Sequence, residues 1–185
     1  MELCSPRQQE RELAMRIVTN KLLCDVMITP DGSVVVIEDA AASGVSGTYV
    51  HAHIDPCPET MQRALWVHTM NAHECDLVGR QVRVRVFSGD DTSELGDLAF
   101  DGHLNIASGL LAIGDRRNPD REILVGPAAA AHVSVYVGND IEAACFEDSD
   151  ASYPLSGPSE MTVLLHGDTW HTYTLHNTTT RWGRS

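Results

Sequence analysis

The residues with the clearest potential for chemistry are two histidines and an aspartate at two-residue spacing, His51, His53 and Asp55. Alternate residues of a β-strand share a face, so a strand over 48–54 aligns these side chains. Imidazole and carboxylate groups are ordinary ligands of zinc and iron. The spacing therefore predicts a metal site at these three residues. The simpler interpretation places both histidines on the solvated face of a half-buried strand and requires no cofactor.

The pattern His-x-His-x-Asp also resembles the metal-binding first strand of amidohydrolase-type barrels. Such barrels usually need ~250 residues and alternating helices, whereas this chain has 185 residues. A jelly roll, whose strands can point histidines inward, is the better setting for the metal hypothesis. Because no other motif specifies a reaction, the sequence favours a binding protein over an enzyme.

A second set of candidate residues is acidic and belongs to two loop regions. The chain has 26 acidic and 13 basic residues and a formal net charge of −13, which disfavours nucleic acid and anionic membranes as partners. Acidic loops either keep a protein soluble or attract a cationic protein such as a nuclease or toxin. The predicted partner-binding residues are Asp90, Asp91, Glu94, Asp97, Glu147, Asp148 and Asp150.

Cysteine usage and hydropathy indicate a cytoplasmic protein. The five cysteines are scattered and form no C-x-x-C pair, which is typical of reduced thiols. Charged residues interrupt the N-terminal region, so no signal peptide is predicted. The sequence contains no run of ~20 apolar residues, so no membrane span is predicted.

Alternating residues predict the fold class. Val82, Val84 and Val86 alternate with Arg83 and Arg85, which places the valines in a core and the arginines outside, beside carboxylates of the same chain. About ten or more such short segments predict a mainly β fold, an antiparallel sandwich or jelly roll. The other predicted strands are 22–29, 33–38, 48–54, 96–100, 103–106, 110–113, 122–125, 132–137, 141–146, 161–166 and 170–176.

Local signals add detail to this fold. Ser5 followed by Pro6 predicts a short N-terminal helix over about 5–20. The tripeptide Pro30-Asp31-Gly32 predicts a tight hairpin between the first two strands. Residues 59–73 fit either a helix or a strand, and a strand through Leu65–His68 is favoured. We expect a single domain over 1–176 and a flexible tail over 177–185.

Residues 80–138 combine an alternating valine strand, an acidic loop, a paired-strand stretch and a second alternating strand over Val133–Val137. This order resembles the C-terminal half of small bacterial β-sandwich proteins of the competence-locus nuclease inhibitor family. The resemblance implies an intracellular protein that blocks a nuclease or toxin, with acidic residues that mimic phosphate. An immunity or inhibitor protein is thus the first hypothesis. A small metal-dependent enzyme or metal-binding jelly roll is the second, and a structural or assembly protein is the third.

Overall fold

The computed structural model describes residues 19–42, 47–50, 61–115, 121–138, 143–145 and 152–172. These residues are mainly β, as predicted, with one α-helix, α1, over Ala72–Val78 and a 3-10 turn over Ala40–Ala42. The strands are β1 (Lys21–Ile28), β2 (Val34–Asp39), β3 (Thr48–Val50), β4 (Ala64–His68), β5 (Val82–Ser88), β6 (Asp97–Ile106), β7 (Leu110–Gly114), β8 (Glu122–Val125), β9 (Ala129–Val137), β10 (Ala143–Cys145), β11 (Ser152–Pro154), β12 (Glu160–Leu165) and β13 (His171–Thr172).

The strands form two large sheets and one small sheet. The first large sheet has the order β1-β5-β12-β9-β6, the second has the order β13-β8-β7-β2-β4-β3, and β10 pairs with β11. Paired strands are antiparallel except β5 with β12 and β3 with β4. Buried apolar residues of both large sheets belong to one continuous core. The parallel pair matters for the site below, because it brings the carboxyl ends of β5 and β12 to the same edge.

The predicted alternation of β5 is confirmed. Val82, Val84 and Val86 are fully buried, whereas Arg83 and Arg85 are only half-buried. Arg83 donates two hydrogen bonds to the Asp25 carboxylate, at 2.9 and 2.7 Å. The face that carries these arginines is therefore the outer face of the first sheet.

The predicted hairpin between β1 and β2 is wrong. β1 pairs with β5 in the first sheet, whereas β2 lies between β4 and β7 in the second. The turn at Pro30-Asp31-Gly32 therefore carries the chain from one sheet to the other, and the Asp31 N–H donates to Asp115 Oδ2 at 2.8 Å. A turn tripeptide specifies a reversal of the chain but not the strand with which each arm pairs.

Between residues 61 and 79 a strand is followed by a helix. The strand favoured over Leu65–His68 is confirmed by β4. The helix α1 then begins at a capping box, in which the Asn71 side chain accepts from the Glu74 N–H and the Glu74 carboxylate accepts from the Asn71 N–H, both at 2.9 Å. It ends at Gly79, whose φ of 65° is left-handed.

The helix predicted over 5–20 lies outside the described residues except for residues 19 and 20, which are not helical. The predicted tail over 177–185 also lies outside them. None of the described helical segments has the length and apolar run that a membrane crossing needs.

Candidate metal centre

Three strands of the first sheet bring a polar cluster to its outer face. β6 pairs with β9 so that Asp101 lies opposite Ser134 and His103 opposite His132. β12 pairs with the other edge of β9, and the residue after β12, His166, donates its N–H to the His132 carbonyl. The intervening residues of these strands point into the core, so the polar residues share the outer face.

The side chains of Asp101, His132 and His166 converge. Each offers one possible ligand atom, and the three atoms lie within 4.8 Å of one another. His132 Nε2 is 2.9 Å from Asp101 Oδ1. The rings of His132 and His166 stack with their centroids 3.9 Å apart, and the ring of His103 stacks on His132 at 5.1 Å. Two imidazoles and one carboxylate therefore surround a single small space.

Two neighbouring side chains orient this cluster. Ser134 Oγ donates to Asp101 Oδ1 at 2.6 Å and lies 2.8 Å from His166 Nε2. On the other side of the same ring, His166 Nδ1 lies 3.2 Å from Asp90 Oδ1. Both ring nitrogens of His166 therefore have a hydrogen-bond partner, Ser134 at Nε2 and Asp90 at Nδ1. A carboxylate behind the ring in this way is the usual support of a metal-binding histidine.

Asp90 reaches His166 because β5 and β12 are parallel neighbours. The loops that follow the two strands are joined by hydrogen bonds from Gly89 N–H to the Leu165 carbonyl at 3.1 Å and from Ser88 Oγ to the Gly167 carbonyl at 2.6 Å. The Gly167 N–H in turn lies 3.3 Å from Asp90 Oδ1. The sheet topology, not proximity along the chain, thus positions Asp90.

The electrostatics of the cluster favour an ionised Asp101. Partial burial raises the pKa of this carboxyl group, but the hydrogen bonds from Ser134 and His132 and the charges of the neighbouring histidines outweigh burial. The pKa of Asp101 is therefore below its ordinary value. The side chains of Asp101, His132 and His166 are 50%, 38% and 18% exposed. The cluster thus combines an ionised carboxylate with access to solvent.

The connectivity of Ser134, His166 and Asp90 matches that of a serine-hydrolase triad. Ser134, however, is 2% exposed, and its one hydroxyl proton is donated to Asp101, so it is unsuited to attack a substrate. Burial likewise raises the pKa of Cys24 to about 12 and that of Cys75 above its ordinary value, which makes these thiols poor nucleophiles. The arrangement is better suited to ligand a cation.

Several candidate residues predicted from the sequence lie outside the described part of the chain, and their roles stay predictions. They are His51, His53, Asp55, Glu147, Asp148 and Asp150.

The other four acidic candidates are described and lie around the loop between β5 and β6. Asp90 contacts the histidine cluster, whereas Asp91 is held locally by hydrogen bonds from Ser93. Glu94 and Asp97 are exposed. The predicted acidic region therefore has two parts. Asp90 contacts His166 of the candidate metal centre, whereas Glu94 and Asp97 belong to an exposed surface.

The ligand set Asp101, His132 and His166 is absent from the sequence predictions. The alternation of β9 does place Ser134 on the face opposite Val133 and Val135, and His132 follows by the same rule. What alternation does not provide is the register of β6, β9 and β12, which decides that these residues meet.

The chain matches no protein-family model, no curated protein and no solved structure. The resemblance of residues 80–138 to nuclease inhibitors therefore stays a prediction. The functional interpretation rests on the geometry of the described residues.

Proposed function

We propose that this protein binds a divalent transition-metal ion on the outer face of its first sheet, with Asp101, His132 and His166 as ligands. The proposal rests on the convergence of these three side chains within 4.8 Å, with the Asp90 carboxylate behind the His166 ring. Two imidazoles and one carboxylate suit zinc and ferrous iron. The sequence offered zinc or iron only as the alternative to no cofactor, and at His51, His53 and Asp55.

The fit of an ion to this space requires only side-chain movement. Bonds of about 2.1 Å in tetrahedral geometry separate ligand atoms by about 3.4 Å. The Asp101 and His132 atoms are already 2.9 Å apart, and the stacked rings of His132 and His166 must tilt so that their lone pairs meet. His132 is more than one-third exposed, so its ring has room to turn.

Three protein ligands leave at least one coordination position open to water. A zinc ion lowers the pKa of such a water to about 7, which supplies a hydroxide nucleophile at neutral pH. Because the ligands are solvent-accessible, a small substrate can approach the ion. Metal-assisted hydrolysis is accordingly the reaction class that this arrangement would support.

We further propose that the two large sheets pack face to face as a sandwich that forms one domain. Val84 and Val135 of the first sheet and Ile37 and Leu65 of the second belong to the same core. The chain just before β4 also bonds to the first sheet, since Gln62 exchanges backbone hydrogen bonds of 2.9 Å with the two residues that flank Leu104.

Metal content of purified variants tests the ligand assignment. Protein stripped with a chelator and reloaded with zinc or cobalt(II) is expected to hold one ion per chain. The substitutions Asp101→Asn, His132→Ala and His166→Ala are expected to weaken binding more than about 100-fold, because each removes one of three ligands. Asp90→Asn removes only the support of His166 and should cost about 10- to 100-fold. Elemental analysis and the visible spectrum of the cobalt form measure these effects.

His103→Ala provides the matched control, because His103 stacks on His132 without joining the ligand set. This variant is expected to retain its metal. An unchanged metal content in Asp101→Asn, combined with metal loss in His51→Ala or His53→Ala, would overturn the assignment and transfer the site to the residues that the sequence suggested.

The exposed acidic loop between β5 and β6 favours a second candidate, an immunity-type or inhibitor protein for a cationic nuclease or toxin. Asp91, Glu94 and Asp97 are all exposed on this loop, in a chain of net charge −13. Clustered like charges attract an oppositely charged partner and accelerate encounter. The resemblance of residues 80–138 to nuclease inhibitors is consistent with this candidate.

Inhibition of a cationic nuclease tests this second candidate. A panel of secreted bacterial nucleases is incubated with the protein, and inhibition is expected to weaken steeply as salt rises. The variant Glu94→Gln/Asp97→Asn should weaken inhibition, whereas His132→Ala should not. Inhibition that survives the loop variant, or no inhibition of any cationic nuclease, would count against the candidate.

A further inference from the structure

A small cavity of about 190 Å³ lies at the end of the first sheet where β9 ends and β12 begins. Its walls come from the loop before β6, from the residue after β9, from the first residues of β12 and from Arg85 of β5. The polar side chains that line it are Arg85, Glu94, Glu160 and Thr162. Thr162 is four residues before His166 on the chain of β12, about 13 Å along an extended strand. The cavity is therefore separate from the proposed metal centre.

Two glycines shape this cavity. Gly96 has a left-handed φ of 111°, and a Cβ there would lie 2.8 Å from the Val137 carbonyl oxygen. The loop before β6 thus approaches the end of β9 more closely than any other residue would permit. At Gly138, which also lines the cavity, a Cβ would make only ordinary contact, 3.8 Å from the Glu160 Cβ. Both positions keep side chains out of the space between the loop and β12.

The guanidinium of Arg85 is incompletely bonded, in contrast to that of Arg83 two residues earlier. Arg83 makes two short hydrogen bonds to Asp25. For Arg85, the ion pair with Glu160 spans 3.7 Å, which exceeds hydrogen-bond length. Its Nε is buried without a hydrogen-bond partner. Because Nε is buried, a carboxylate in the cavity can pair only with the exposed part of this guanidinium, whose side chain is 33% exposed.

Glu94 adds a second carboxylate to the cavity and has an uncommon backbone conformation. Its φ is 59°, a left-handed value that few residues other than glycine, asparagine and aspartate adopt. Glu94 and Glu160 thus line the same cavity as Arg85, and Glu160 Oε2 lies 3.7 Å from Arg85 Nη2. This charge pattern disfavours a simple anion, and Arg85 disfavours a simple cation.

We infer that this cavity binds a small zwitterion of the free α-amino acid class. The ligand carboxylate would pair with the Arg85 guanidinium, and the ligand ammonium would lie between Glu94 and Glu160. The volume is below the ~300–1,000 Å³ of pockets that bury drug-sized ligands, so only a compact metabolite fits. The Thr162 hydroxyl lines the same cavity and offers a further hydrogen bond.

Calorimetric titration of the chelator-treated protein with individual L-amino acids tests this inference independently of any metal. At least one amino acid is expected to bind saturably. Its N-acetyl derivative, which lacks the ammonium, and its amide, which lacks the carboxylate, should each bind more than about tenfold more weakly, because each loses a charge-assisted hydrogen bond. Inorganic phosphate is expected not to bind.

Arg85→Gln removes the partner of the ligand carboxylate and is expected to weaken amino-acid binding by more than about tenfold. Glu160→Gln removes a partner of the ligand ammonium and should weaken binding to a similar extent. Arg83→Gln is the control on the same strand and face; because it also removes a positive charge near Glu160, it should alter binding, but far less than Arg85→Gln does. Thermal unfolding shows whether each variant is folded, and Arg85→Lys provides a milder substitution if Arg85→Gln is not. Equal loss in Arg83→Gln, undiminished binding of the derivatives, or no saturable binding by any amino acid would overturn the inference.

Discussion

Two carboxylates that accept hydrogen bonds from serine, Glu74 and Asp101, have opposite surroundings in this fold. Glu74 is 2% exposed, and its Oε1 accepts from the Ser156 N–H at 2.6 Å. Its Oε2 accepts from the Asn71 N–H at 2.9 Å and from the Ser156 hydroxyl at 2.6 Å. All three donors are neutral, and two belong to the backbone. Glu74 thereby ties the start of α1 to the segment before β12.

Asp101 is half-exposed, and one of its two described donors is a titratable imidazole, that of His132. A second imidazole, that of His166, lies within 4.8 Å. Both donors to Asp101 are side chains, so a proton or a metal ion can replace them without breaking a backbone hydrogen bond, whereas two of the three donors to Glu74 are backbone N–H groups. Glu74 is therefore a carboxylate that stabilises the fold, whereas Asp101 can exchange its hydrogen-bond donors for a metal ion.

Glu74→Gln is expected to have the largest effect on stability. Both oxygens of Glu74 accept from a backbone N–H, so either orientation of a glutamine amide would place its NH₂ against a donor. A buried, unsatisfied pair of this kind should lower the free energy of unfolding by about 3 kcal/mol. Urea denaturation followed by tryptophan fluorescence measures the change.

Asp76→Asn is the control for that measurement, since Asp76 lies on the same helix but is exposed. It should change the free energy of unfolding by no more than about 0.5 kcal/mol. If both variants lost the same free energy of unfolding, the buried Glu74 carboxylate would stabilise the fold no more than the exposed Asp76 does.

The pH dependence of stability should show the same distinction. Burial would raise the pKa of Glu74, but the hydrogen bonds from Ser156 and Asn71 and the charge of His68 hold this pKa below its ordinary value. A depressed pKa contributes stability that is complete above the unfolded value, about 4.3, and that is lost as pH falls through the folded pKa. Below about pH 4, the stability difference between the native protein and Glu74→Gln should therefore narrow.

Urea titrations of both chelator-treated proteins between about pH 3 and pH 7 measure this difference. A gap that stays constant or widens as the pH falls would show that the Glu74 carboxylate is not held in its ionised form by these contacts.

Asn71→Ala is expected to cost less, about 1 kcal/mol, which is typical of a lost N-cap. The substitution removes the acceptor of the Glu74 N–H but leaves the Glu74 carboxylate in place. Asn71→Ser keeps an N-cap acceptor and should recover most of the loss. If the alanine variant were as unstable as Glu74→Gln, the cap rather than the buried carboxylate would be the dominant contact.

The sequence predicts the individual strands of this fold better than it predicts which strands pair. The alternation over Val82–Val86 predicted both the strand and its inward face, because side-chain period depends only on local backbone geometry. The stretches 96–100 and 103–106 were predicted as separate strands but form one strand, β6, with a register shift between Leu98 and Phe100. The shift lies within the first stretch, whereas the predicted break is at Asp101-Gly102, residue types that are depleted in strands but that pair here with Ser134 and Val133.

The pairing of the strands could not be predicted from local sequence, because it depends on contacts between residues that are far apart along the chain. The turn at Pro30–Gly32 predicted a hairpin, yet its two arms belong to different sheets. The capping box of α1 was present in the sequence as Asn71-Ala-His-Glu74 and would have located the helix. No such local signal exists for Asp101, His132 and His166, since only the register of three strands brings them together.

The smallest expected change in stability belongs to Asp101→Asn in the metal-free protein. Its side chain is half-exposed and the asparagine oxygen can still accept from Ser134, so the free energy of unfolding should fall by less than about 1 kcal/mol. Adding zinc should then affect Asp101→Asn and Glu74→Gln differently. A ligand that binds only the folded state raises the free energy of unfolding by about 2.7 kcal/mol at 100 times its dissociation constant. Glu74→Gln, with its metal ligands intact, should gain this increment in full, whereas Asp101→Asn should gain almost none. Equal gains in the two variants would mean that the ion binds elsewhere and that Asp101 is not one of its ligands.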